Sequence, residues 1–378
     1  MILSNVHIVG RGLQDIHING SFIVDPLSIQ DPGTEKNIQF SDAIVFPGLI
    51  NSHDHLDFNL FPQTGNRIYK NYKEWADDIQ MNNRSSLDTV LKIPKDLRIQ
   101  YGLYKNLLNG FTTVVNHGKQ LSVADDLITV LQDCHSLHSV LLEKNWKWKL
   151  NNPFAGKKPY VIHAGEGTDQ QSKKEIDELI KWNIFKKELI AVHGVAMNKK
   201  QAEHFKALIW CPASNYFLLG ATANIDQLKT FTNIVFGTDS TLSSPWNAWD
   251  HIRLARRTAM ITDKELFNML TENPAAVWGL NHAGKIAAGM NADVVVAKRK
   301  NIEDEFDAFF NINPEDILLI VRNGKILLFD EAVAGQLNDT GHFEKISISK
   351  NYKYVPKDIA LTLKMISGYT SSVNILLL

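Results

Sequence analysis

The 378-residue chain is 44% hydrophobic, enough for a large core and more than one ordinary domain requires. Its 40 Lys+Arg against 41 Asp+Glu leave a net charge of −1, so no basic surplus exists to neutralise phosphates, which argues against a nucleic-acid partner. No apolar run approaches the roughly 20 residues that span a bilayer, the first residues lack a signal-peptide pattern, and Cys134 and Cys211 are the only cysteines; the expectation is a cytoplasmic protein with no membrane partner and no disulfide framework.

Residues 2–9, 16–24 and 37–40 read as short strands broken by Gly, Pro and Asp. The run 43–52 is apolar, short and ends in polar residues before His53, as a fully buried parallel strand should. A helix is expected over 96–108, stopped by Asn109-Gly110, then a strand over 111–116. The apolar runs 160–162, 189–192, 207–210 and 233–236 lead into His163, His193, Cys211-Pro212 and Gly237-Thr238-Asp239. Helix-period segments at 172–182, 198–206 and 225–231 lie between them. Such alternation argues for parallel βα units. Polar residues at the ends of successive strands argue for a (β/α)8 TIM-like barrel, whose chemistry sits on that face.

The stretch 117–159 must supply two strands and their helices in about 40 residues; 123–134 and 139–142 are candidate strands, and shortened or irregular units are expected. Helices over 247–260 and 263–270 close the barrel. Then strands return: 284–286 and 289–296 read as a hairpin, and 317–321 and 325–328 flank the turn Arg322-Asn323-Gly324. Neither β-rich end has enough strands to bury a core alone. The reading is a small β-sandwich domain built from residues 1–45 and 283–378 beside a barrel of 46–282. After 341 only a helix over 357–365 is legible.

In His53-Asp54-His55 the two imidazoles project to one face of a strand and can grip one ion. With 13 His in the chain, roughly 0.4 His-x-His pairs arise by chance, so the motif alone reads equally as two surface histidines. His163-Ala164-Gly165-Glu166 adds a third imidazole and a carboxylate, a ligand and a base for an activated water, or else a loop His and a solvated Glu. His193 and Asp239 each end another strand; a strand-end Asp often caps the next helix. The order and joint placement of all four motifs argue for one site.

These segments resemble the amidohydrolase superfamily of metal-dependent hydrolases, within it the branch of cytosine-, guanine- and adenosine-type deaminases and triazine chlorohydrolases. Phe46-Pro47-Gly48-Leu49-Ile50-Asn51-Ser52-His53-Asp54-His55, Gly110-Phe111-Thr112-Thr113, Val192-His193-Gly194 and Gly237-Thr238-Asp239-Ser240 carry the likeness, as do Cys211-Pro212-Ala213-Ser214-Asn215, Asn273-Pro274-Ala275-Ala276 and Gly289-Met290-Asn291-Ala292-Asp293. The resemblance implies that His53, His55, His163 and Asp239 hold one divalent metal, that Glu166 shuttles a proton, and that His193 hydrogen-bonds the attacking water or the developing charge. Lys119 and Lys144 are the nearest candidates for the bridging lysine of binuclear members, and neither ends a clear strand. Zinc fits three His and a carboxylate, and iron also fits.

The implied reaction is hydrolytic deamination of a small nitrogen-rich heterocycle. The rival readings are an amide or cyclic-amide hydrolase or chlorohydrolase on the same site, and a non-catalytic binding barrel. The partner is a small molecule, and a homo-oligomer stays open. His117, Trp75 and Trp246 are candidate substrate contacts, with one of His135 and His138 facing the pocket. Phe58, Phe61, Tyr69 and Tyr72 add aromatic surface after the first ligands, and Arg67 and Arg84 could meet a carboxylate or phosphate.

Overall fold

In the computed structural model, the described residues are 1–28, 36–123, 127–300 and 304–369. Period-two alternation shapes the first strands: β1 (Ile2–Ile8), β2 (Gly12–Asn19), β3 (Phe22–Val24) and β4 (Asn37–Pro47). In β4, Ile44 and Phe46 enter the main core while Ala43 and Val45 enter a second one, since successive side chains take opposite faces. β13 (Val294–Lys298) runs antiparallel to β4, and β14 (Ile317–Arg322), β15 (Lys325–Asp330), β16 (Phe343–Ile348) and β17 (Asn351–Pro356) complete one sheet of nine strands. Both chain ends therefore share a sheet, in the order β16-β17-β15-β14-β13-β4-β1-β2-β3.

Among the described residues, eight parallel strands form the rest of the β structure. β5 (Leu49–Asp54), β6 (Phe111–Asn116) and β7 (Thr129–Leu131) make a three-stranded sheet. β8 (His135–Ser139), β9 (Tyr160–Ala164), β10 (Leu189–His193), β11 (Ala207–Trp210) and β12 (Asn233–Phe236) make a five-stranded one. β5, β6, β9, β10 and β11 are buried throughout, as strands covered on both faces are. The two sheets meet beyond the ends of β12 and β5, where the Asp239 N–H donates to the His53 carbonyl at 3.0 Å.

Several expectations need correction. The run 16–24 is two strands, because residues 20–21 turn between them. Residues 284–286 form no strand, and the expected hairpin reduces to β13. Of the candidate 123–134, residues 124–126 lie outside the described residues and Thr129–Leu131 pairs. Of 139–142, Ser139 ends β8 and pairs with His163, and the turn begins at 140. Three residues separate β7 from β8, too few for a helix, and the short helix Trp146–Leu150 precedes β9. The aromatic stretch after His55 holds two helices, Tyr72–Asn82 and Arg84–Leu91, the first capped by Asn71 on Glu74 N–H.

The helix Lys95–Leu108 presses against the turn after His55. A Cβ on Gly102 would lie 2.2 Å from the Leu56 carbonyl oxygen, so only glycine permits this approach. It brings Lys105 and Asn106 beneath β5. Among the described residues no helix is long and apolar enough to cross a membrane.

Candidate metal centre

β5 delivers His53 at its end and His55 just beyond, on one side; β9 delivers His163, β10 His193, and the turn after β12 Asp239. The ligand atoms of His53, His55 and His163 lie within 4.8 Å of one another, as do those of His53, His193 and Asp239. His53 Nε2 is 3.4 Å from His163 Nε2, and the Nε2 atoms of His53 and His55 are each 3.9 Å from Asp239 Oδ1.

The outer nitrogens of His55, His163 and His193 are committed, whereas Nδ1 of His53 is buried without a hydrogen-bond partner among the described residues. Nδ1 of His55 meets the His117 carbonyl at 3.1 Å, Nδ1 of His163 the His138 carbonyl at 2.7 Å, and Nδ1 of His193 the Asn215 amide oxygen at 2.8 Å. Each acceptor fixes the proton on Nδ1 and leaves the Nε2 lone pair facing inward. Burial foremost, then the neighbouring imidazoles, holds His53 and His163 well below the ordinary histidine range. Burial also lowers His193, against the pull of Asp239 and Asn215. Neutral rings are what a cation needs as ligands. Burial works to raise the Asp239 carboxyl, but His55, His193 and His163 outweigh it and hold it well below the carboxylate range. Ser214 and Ser243 hydroxyls donate to its Oδ2 at 2.8 and 2.9 Å, and Ser240 N–H to Oδ1 at 2.7 Å. Three imidazoles and one carboxylate, all buried or nearly so, fit a tetrahedral divalent cation.

Both His193 and Asp239 have left-handed backbones, φ 73° and 56°. Such conformations are costly outside glycine and cluster where function requires them. Glu166 lies beside the cluster, its Oε1 3.6 Å from His193 Nε2. Burial, then the Asp239 and Glu175 carboxylates, raises its carboxyl well above the usual range.

A cavity of about 370 Å³ opens over these groups. His55, His163, Glu166, His193 and Asp239 line its floor, and Phe58, Phe61, Tyr72, Trp75 and Leu218 its walls. Trp75 is on the wall, carried by a helix, with Nε1 donating to the Thr64 carbonyl at 2.8 Å. Trp246 is not; the turn after Asp239 carries it round to a neighbouring hollow with Asn59 and Tyr101. His117 is buried behind the wall, its ring 4.5 Å from that of His163. His138 lines the cavity, whereas His135 stacks on Tyr160 at a different surface. Tyr69 is buried and hydrogen-bonded to Asp78. Arg84 reaches the rim but pairs with Asp88 at 3.1 Å, and Arg67 pairs with Glu74.

Beneath β5 lies a buried network that the linear pattern does not reveal. Asp54 accepts from Asn59, Asn106 and Lys105, and Asn51 bridges Asn106 to Thr238. The one sequence signal was polar residues alternating with His53 and His55 in a strand otherwise apolar.

The amidohydrolase family matches residues 147–327. The chain is 22% identical to a 5-methylthioadenosine/S-adenosylhomocysteine deaminase of Caldicellulosiruptor saccharolyticus, over 78% of this chain and 82% of that one. A Pyrococcus horikoshii protein of the same name is 27% identical over 46% of this chain and 47% of its own length, so that match spans about half of each. Among solved structures, a zinc-bound adenosine deaminase from Xanthomonas campestris superposes with a TM-score of 0.70 at 15% identity, covering 87% of this chain and 92% of its own. The amidohydrolase likeness thus covers just under half of the chain, and the proteins it resembles include ones named as adenosine-type deaminases.

Proposed function

We propose that the protein is a hydrolase acting on C–N bonds, a deaminase of a small nitrogen-rich heterocycle, with one divalent metal held by His53, His55, His163 and Asp239. The observation that carries this reading is the convergence of three imidazoles and one carboxylate at and just beneath the floor of a cavity, with the outer nitrogens of His55 and His163 already committed. Zinc suits that donor set, and iron is the second choice. A divalent ion bound there supplies a water acidified toward neutrality.

The remaining work falls to the chain. Glu166, the one other carboxylate on the floor, takes the proton from water and returns it to the leaving nitrogen. His193, its Nδ1 held by Asn215, turns its Nε2 lone pair to the cavity and accepts a hydrogen bond from the attacking water. Asp239, fixed by two serines, keeps Oδ1 toward the imidazoles and orients the attacking water. Water adds to the ring carbon, the C–N bond breaks, and a carbonyl compound and ammonia leave. Trp75 and Tyr72 line the space for a flat ring.

We also read the eight parallel strands as one closed (β/α)8 barrel of residues 46–282. The Asp239–His53 hydrogen bond supports that closure. The ends, 1–45 and 283–378, are read as one β-sandwich domain: Phe22 bridges to Asn291, and Ile23 N–H donates to the Met290 carbonyl at 2.8 Å, so the sheet curls back toward β13. Cys134 and Cys211, both unpaired, suit a cytoplasmic setting.

A panel of aminopurines, aminopyrimidines, aminopterins and aminotriazines tests the reaction. At least one should release ammonia in a metal-dependent manner. Metal-loaded protein that ignores the panel yet hydrolyses amides or lactams overturns the deaminase reading.

A further inference from the structure

Lys105 is 1% exposed, and its ammonium has no part in the proton path described above. Its Nζ donates to Asn59 Oδ1 at 2.7 Å, the Asp239 carbonyl at 3.2 Å and Asp54 Oδ2 at 3.3 Å, with Thr238 Oγ1 at 3.5 Å. A buried ammonium is costly unless its donors are satisfied, and here three partners meet its three protons. These partners fall on two ligand-bearing segments, at the ends of the first and the last of the parallel strands in chain order. Asp54 lies between His53 and His55 and points to the other side of β5. Asp239 bears the carboxylate ligand and has the left-handed backbone, φ 56°. That peptide is held at both ends: its N–H by the His53 carbonyl at 3.0 Å, its carbonyl by Lys105 and by the Thr238 hydroxyl at 3.0 Å.

We infer that Lys105 is a positioning residue for the metal centre: its ammonium ties the strand bearing His53 and His55 to the turn bearing Asp239, and holds that turn in its unfavourable conformation. The inference rests on the metal reading above. Lys105 touches none of the inward-facing donor atoms, so it acts through the Asp54 carboxylate and the Asp239 main chain. Without the ammonium, Asp239 relaxes toward an ordinary backbone and its carboxylate swings off the imidazoles.

The test compares wild type, Lys105→Met and Asp54→Asn/Lys105→Met. The double variant removes both buried charges together and so guards against a single variant that fails to fold. Zinc affinity is measured by competition with a chromophoric chelator, and coordination by the visible spectrum of the cobalt(II)-substituted proteins. Both variants should lose about 10- to 100-fold in zinc affinity, as when an outer-shell partner is removed, and shift the cobalt bands. Wild-type affinity and an unchanged cobalt spectrum in the folded double variant overturn the inference, leaving Lys105 as charge compensation for Asp54. A folded wild type that takes up no metal overturns the metal reading and this inference with it.

Discussion

Replacing Glu166 by Gln removes one proton-transferring group and keeps the side-chain shape. Among the described residues on the cavity floor, the other candidate bases are already engaged. Asp239 is the other carboxylate on the cavity floor, and its oxygens accept from Ser214, Ser243 and Ser240. His193 has its Nδ1 on Asn215, and burial keeps it poorly basic. The full contribution of general acid–base catalysis should therefore disappear, about 10²- to 10⁴-fold in turnover. At ~1.4 kcal/mol per decade this is about 3–5 kcal/mol of transition-state stabilisation. Glu166 is not among the clustered metal-binding groups, so the ion should stay. Ammonia release at saturating substrate gives the rate, and elemental analysis the metal content. A metal-replete Glu166→Gln protein within about tenfold of wild-type turnover would refute the role.

Deleting residues 1–40 removes β1 to β3 and the start of β4, opening the second hydrophobic core and baring an edge of the sheet; size-exclusion chromatography should show aggregate, and a monodisperse, folded product counts against the shared β domain. Burial pushes the Glu175 carboxyl up to about 7 from 4.5, while it accepts the Gly165 N–H at 2.7 Å. A raised folded-state pKa gives stability that is complete below about pH 4.5 and lost as pH climbs through about 7, on the order of 3 kcal/mol. Glu175→Gln keeps the acceptor without the charge, so denaturant melts should show it gaining on wild type by about that amount between pH 4.5 and 8; a pH-independent difference contradicts the assignment.

How far the sequence could be read follows from the kind of signal each element leaves. Buried parallel strands are continuous apolar runs, and a polar residue stands out at their ends. His53, His163, His193 and Asp239 were visible for that reason, and the structure brings their side chains together. Lys105 was invisible because its partners Asp54 and Asp239 stand 51 and 134 positions away, and a lysine in a helix ordinarily reads as a solvated face. The helix Tyr72–Asn82 went unread because only Tyr72 and Ile79 are buried in it, too sparse an apolar stripe to register as a 3.6-residue period. Trp246 was misplaced because closeness in sequence to Asp239 says nothing of the direction a turn takes.

Metal content in wild type and His163→Asn tests the central claim most directly. His163 Nε2 lies 3.4 Å from His53 Nε2, and its outer nitrogen is already bound to the His138 carbonyl. Asparagine there removes an imidazole donor from the middle of the cluster. Elemental analysis should find about one zinc or iron per wild-type chain and little or none in a folded His163→Asn protein. Equal metal in both proteins would contradict the account.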